Sequence, residues 1–105
     1  MALESEVRGR GMRLFRRIPN SWWTKVDQKI LRDTPDDIGC INGVMVVIEW
    51  KRSKEEEPRP GQKYVMAKVR AAGALVFKVD DSNYKETYEH LLSMQECSEC
   101  GRIRE

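Results

Sequence analysis

Asn42-Gly43 stands between two apolar stretches, Ile38 to Ile41 and Val44 to Ile48. This pair is the strongest short-range hairpin signal, because a type I′ turn needs positive φ at both central residues. A two-residue turn leaves the register no freedom. Ile41 then faces Val44 and Cys40 faces Met45. Continuing outward, Asp37 faces Ile48 and Asp36 faces Glu49. Opposed residues share one side of a sheet, with Cβ atoms roughly 4.5–5.5 Å apart. Side chains alternate with period two, so Lys51 joins Asp36 and Glu49, while Asp37 points to the other side. For Asp37 this implies a capping or surface role. Two like charges directly opposed destabilise a sheet unless something neutralises them. A divalent cation is the natural candidate, since hard cations take carboxylate oxygens.

The remaining pattern places this hairpin within a larger α/β unit. Residues 3–18 carry Glu4, Val7, Gly11, Leu14, Phe15 and Ile18 at helical spacing on one face. Arg10, Arg13 and Arg17 line the opposite side together with Glu6. Pro19-Asn20-Ser21 stops the helix, and Trp22 to Val26 reads as a first strand. Val44 to Trp50 is apolar on both faces, which marks a central strand covered on both sides. Residues 52–61 form a charged loop expected to be mobile. A helix follows from about Gly61 to Ala72, closed by Gly73. Ala74 to Val79 is a short strand, and a helix between two strands implies parallel pairing. Asp81 or Ser82 is positioned to cap a last helix reaching about Met94. The expected order is αβββαβ, a mixed central sheet flanked by helices. Residues 1–95 would be one domain and 96–105 a tail.

Of the 105 residues, 40 % are apolar and 34 % charged, enough for one modest core with a solvated surface. The net charge of +2 conceals an asymmetry. Residues 1–34 hold eight Lys/Arg against four Asp/Glu, and residues 50–70 seven against three. From Asp80 onward there are three against seven. A basic front suits an anionic partner. No apolar stretch approaches a membrane span, and no secretory leader is visible. Three cysteines suggest no disulfide framework. A cytoplasmic setting is expected, the host's if the protein is viral. Cys97-Ser-Glu-Cys100 is a single C-x-x-C. A structural zinc site needs four ligands, and His90 and Cys40 are the only further donors of that kind. One histidine leaves no paired-histidine catalysis available.

The ordered set Pro35-Asp36, Glu49-Trp50-Lys51, Gln62 and Ala72-Gly73 before a final apolar strand resembles the PD-(D/E)xK superfamily. Within it, the chain looks most like the small stand-alone VRR-NUC type nucleases of phages and bacteria. The resemblance spans about Glu4 to Val79. It implies a restriction endonuclease-like fold and a Mg²⁺-dependent endodeoxyribonuclease, with Mn²⁺ able to substitute. Asp36 and Glu49 would be metal ligands, joined by the backbone carbonyl of Trp50. Lys51 would orient the attacking water or stabilise charge on the phosphate. The family also places a first-helix glutamate near the metal, and helical phase favours Glu4 over Glu6. It keeps a glutamine near the site as well, here Gln62. One departure is Asp33, where the family commonly has glycine two residues before the Pro-Asp pair.

A cation stabilises the charge that builds on a phosphodiester during hydrolysis and makes a bound water more acidic. Arg10, Arg13, Arg17, Lys25 and Lys63 are candidate phosphate contacts, which give salt-dependent affinity without sequence choice. Trp22 and Trp23 could stack on bases, although core packing is the expected use of at least one. The resemblance further implies a homodimer acting on branched DNA such as a Holliday junction, with a helicase or replication protein as a possible partner. The alternative is a catalytically silent or partner-dependent nucleic-acid-binding domain on the same fold.

Overall fold

A computed structural model describes residues 3–27 and 33–94. The Cys97/Cys100 pair, the expected tail and part of the polar link after the first strand lie outside the described residues.

Helix α1 spans Glu4–Phe15, and strand β1 follows at Ser21–Lys25. Strands β2 (Asp37–Ile41) and β3 (Val44–Trp50) form the hairpin. Its register is the expected one, Ile41 opposite Val44 through Asp37 opposite Ile48. Asn42 and Gly43 take φ of 52° and 91°, the positive values a type I′ turn requires. Helix α2 spans Pro60–Ala71, β4 spans Leu75–Val79 and α3 spans Tyr84–Ser93. Proline opens α2, where its missing N–H costs nothing. Gly73 follows the helix at φ 107°, a left-handed turn that glycine makes without steric penalty.

The four strands lie in sequence order, β1-β2-β3-β4. The first two pairings are antiparallel, and β3–β4 is parallel. The protein is therefore α/β, a mixed four-stranded sheet flanked by three helices. Six of the seven β3 residues are buried, as a doubly covered central strand demands. Val46, Ile48 and Trp50 point to one side, where they join Val7, Met12 and Phe15 of α1 and Leu91 of α3 in one apolar cluster. Gly11 lets α1 approach that cluster closely, since a Cβ there would meet the Trp50 ring at 2.4 Å. The alternate residues, including Glu49, face α2.

Two local expectations need correction. The first helix ends at Phe15 rather than at residue 18, although Ile18 is still buried. The last helix begins after Asn83, not Asp81 or Ser82. Asp80 organises that turn instead: it is 1 % exposed, accepts the Ser82 N–H at 2.7 Å, and its own N–H donates to the Asn83 side chain. In the charged loop, Glu57 pairs with Lys78 at 2.9 Å and with Lys63 at 3.4 Å.

Candidate metal and phosphodiester site

The site forms where the C-terminal end of β3 meets the N-terminal ends of α1 and α2. Strand alternation puts Glu49 and Lys51 on the α2 side of the sheet, and Trp50 between them on the α1 side. Glu49 is only 2 % exposed. Its Oε2 accepts from Gln62 Nε2 at 2.8 Å and lies 3.3 Å from Lys51 Nζ. Its Oε1 is buried and has no hydrogen-bond partner among the described residues. A buried acceptor left unsatisfied costs roughly 1–3 kcal/mol, and more when charged. Burial first, and then the charge of Asp36, push the Glu49 carboxyl up to about 7. Lys51 pulls in the opposite direction but does not prevail.

Asp36 sits one residue before β2, and its Oδ2 accepts the Trp50 backbone N–H at 2.8 Å. This bond ties the aspartate to the main chain between Glu49 and Lys51. Glu4 lies on the first turn of α1 and shares a cleft of about 250 Å³ with Ser5, Arg8, Lys25, Asp36 and Trp50. Its carboxyl is raised by partial burial and then by Asp36, while Lys51 counteracts. Glu6 has a different task, accepting the Leu3 N–H at 2.8 Å to cap the helix start. The structure thus separates the two helix glutamates, with Glu4 in the cleft beside Asp36 and Glu6 at the helix start. Gln62 also closes its own helix end, with Oε1 accepting from Arg59 N at 3.0 Å. Its amide is thereby oriented toward Glu49.

Asp37 overturns its expected capping or surface role. It is fully buried. Arg8 grips it through two parallel bonds, Nε to Oδ2 at 2.7 Å and Nη2 to Oδ1 at 2.8 Å. Trp50 Nε1 donates a third at 2.8 Å. Arg8 is the residue that sequence reasoning missed. A signal existed: the register sends Asp37 toward α1, and a buried carboxylate requires a cation. Arg8 lies one turn after Glu4 on that helix.

The departure at Asp33 also has a local account. Its backbone takes φ 63°, a region glycine prefers and aspartate tolerates better than most residues. Its side chain pairs with Arg59 at 3.2 Å and packs over Gly61, linking the Pro35 loop to the start of α2.

The basic candidates do not all converge. Lys25 lines the cleft beside Asp36. Lys63 stands one residue from Gln62 but pairs with Glu57. Arg10 pairs with Asp81 at 2.7 Å, toward α3. Arg13 is roughly 13 Å from Glu4 along the helix axis, at 1.5 Å per residue, and Arg17 lies past the helix end. Trp23 packs against Phe15, ring centroids 5.4 Å apart, while Trp22 is 63 % exposed.

Among the described residues, no three His, Cys, Asp or Glu side chains form a ready-made metal cage. Mg²⁺ requires none, because it takes one or two carboxylates and keeps several waters. The residues fit such an ion on one specific ground: a buried carboxylate oxygen without a donor, beside a second carboxylate and a raised third. No helix among the described residues is long and apolar enough to cross a membrane. Compared with known proteins, the chain matches no family model, no curated protein and no solved structure.

Proposed function

We propose that this chain is a divalent-metal-dependent endodeoxyribonuclease on a restriction endonuclease-like core. One observation carries the reading: the buried, donor-free Oε1 of Glu49. It lies on a carboxylate that Asp36 and Glu4 repel and that Lys51 and Gln62 hold in place. A fold has little reason to keep this arrangement for stability alone, since charge burial without full pairing is costly. Asp36 and Glu49 would hold Mg²⁺, with Glu4 and the Trp50 carbonyl as further oxygens. The ion would supply Lewis-acid stabilisation of charge growing on the phosphate.

The chain's own groups would divide the remaining work. Lys51 places an ammonium beside Glu49, where it can orient the attacking water or meet phosphate charge. Gln62 fixes the Glu49 rotamer and can present its amide to the same water. Lys25, at the mouth of the cleft, would contact a phosphate of the bound strand. A homodimer, with two sites acting on two strands, would suit branched DNA.

The test uses a synthetic four-way junction, the matching linear duplex and a single strand, each with Mg²⁺, Mn²⁺ or EDTA. Metal-dependent cutting that Lys51→Ala reduces at least about hundred-fold is expected. Preferential cutting of the junction would support structure selectivity, and equal cutting of all substrates would remove it. Tight binding with no cutting under either metal would favour the silent or partner-dependent alternative.

A further inference from the structure

Among the described residues, the Trp22 ring packs on no other aromatic ring. Of the three tryptophans, Trp50 is 1 % exposed and Trp23 packs on Phe15, but Trp22 is 63 % exposed. It stands opposite Cys40 on β2, and Cys40 stands opposite Met45 on β3. Strand alternation puts this row on the same side of the sheet as Asp36, Glu49 and Lys51. Cys40 is exposed, and Met45 is 41 % exposed. The row lies four residues along β2 from Asp36, roughly 13 Å at about 3.3 Å per residue.

Cationic residues stand at both ends of this row. Ser21 Oγ donates to the Ile18 carbonyl at 2.7 Å and closes the turn from α1 into β1. That turn puts the exposed Arg16 and Arg17 at the Trp22 end of the strand. On the other flank, Val69, Ala72 and Gly73 of α2 and its cap share a cleft with Met45. The last turn of α2 carries the exposed Lys68 and Arg70. None of these four cations makes an ion pair with another described residue. Segments 7–26, 38–48 and 58–79, which build this end, contain no Asp or Glu.

We infer that Trp22 is a stacking platform for an unpaired base of single-stranded nucleic acid running across this face toward the site. This rests on the nuclease reading for what happens at the site, but not for the binding itself. An aromatic plate within a basic surface is the general means of holding single strands without sequence choice. A second copy of the chain fits the patch less well. An aromatic side chain buries about 150–250 Å², so one tryptophan, one methionine and one cysteine fall short of the roughly 800 Å² per partner that a stable interface needs. The substrate class this selects is one with an unpaired segment beside the cut, rather than continuous duplex.

The test measures binding of labelled oligothymidylate and of a blunt duplex, both in EDTA, by fluorescence anisotropy. Trp22→Ala is expected to weaken oligothymidylate binding about ten-fold, with the melting temperature and the duplex affinity unchanged. Trp22→Phe should restore most of the loss. Unchanged single-strand affinity in Trp22→Ala, or an equal loss on duplex, overturns the platform. So does a shift from dimer to monomer in light scattering with binding unaltered, which would assign the patch to a second copy. Cutting is scored separately in Mg²⁺. Trp22-dependent binding without cutting keeps the platform and removes the nuclease. Cutting with Trp22-independent binding does the reverse.

Discussion

Asp36 and Asp37 are neighbours in the chain, but the two sides of the sheet treat them in opposite ways. On the α1 side, Asp37 is fully buried and fully answered, with two bonds from Arg8 and one from the Trp50 indole. Asp36 instead belongs to a group of three carboxylates with Glu4 of α1 and Glu49 on the α2 side, and Lys51 is the cation that two of them feel most. One of the three carries a buried oxygen with no donor. The first arrangement is what a fold builds to join a helix to a hairpin. The second gathers like charges around Glu49 and leaves one of its oxygens buried without a donor. Trp50 connects them: its ring serves the first and its backbone N–H serves Asp36. The clamp therefore fixes the ring of the same residue whose backbone N–H holds Asp36.

Breaking the clamp should have the largest effect. Arg8→Ala would leave Asp37 buried with the indole as its remaining donor. Removing one partner of a buried pair costs about 3–5 kcal/mol, and the lower end applies because Arg8 is a quarter exposed. Urea denaturation is the measurement. The double variant Arg8→Ala with Asp37→Asn should recover part of the loss, giving a coupling energy between them. Additive losses would show that the pair is not a unit.

Glu49→Gln should sharpen the contrast by acting in the opposite direction. With the folded carboxyl at about 7 and an ordinary value of 4.5 when unfolded, the unfolded chain releases its proton first. The contribution to stability is therefore fully present below about pH 4.5 and is lost as pH rises to about 7. The loss is on the order of 3 kcal/mol. Glu49→Gln should flatten that slope and leave the metal-free protein more stable than the parent above pH 7. It should also abolish the rise in melting temperature that Mg²⁺ would produce by binding the folded state. Thermal melts from pH 4 to 8, with and without Mg²⁺, decide this. An unchanged pH slope would mean that Glu49 is not its source.

The smallest effect separates the two helix glutamates. Glu6→Gln should cost less than about 1 kcal/mol, because the cap bond persists through the amide oxygen and only the charge at the helix start is lost. It should leave the Mg²⁺ response intact. Glu4→Gln should change stability as little, yet reduce the Mg²⁺-induced shift in melting temperature. Equal metal responses from the two variants would place Glu4 outside the site.

Much of the fold was legible because its strongest signals are local. The Asn42-Gly43 turn set the hairpin register, and the apolar spacing located three helices and four strands to within a few residues. The caps were harder to read, because Asp80, Asp81, Ser82 and Asn83 are all competent and only geometry chooses among them. The exposure of Trp22 and the partial burial of Trp23 were likewise undecided by two adjacent, identical residues. Their division follows from strand alternation together with Gly39, which leaves room for the Trp23 ring.

By itself, the sequence determined that Asp36, Glu49 and Lys51 share one side of a sheet while Asp37 takes the other. A two-residue turn and a period of two leave no alternative, and neither depends on distant parts of the chain. Only the tertiary structure decided that Glu49 is buried with an unanswered oxygen, that Glu4 shares a cleft with Asp36, and that Arg8 answers Asp37 from 29 positions away. These depend on how two helices dock against the sheet. Docking is set by the packing of many side chains at once, so no single spacing in the chain encodes it.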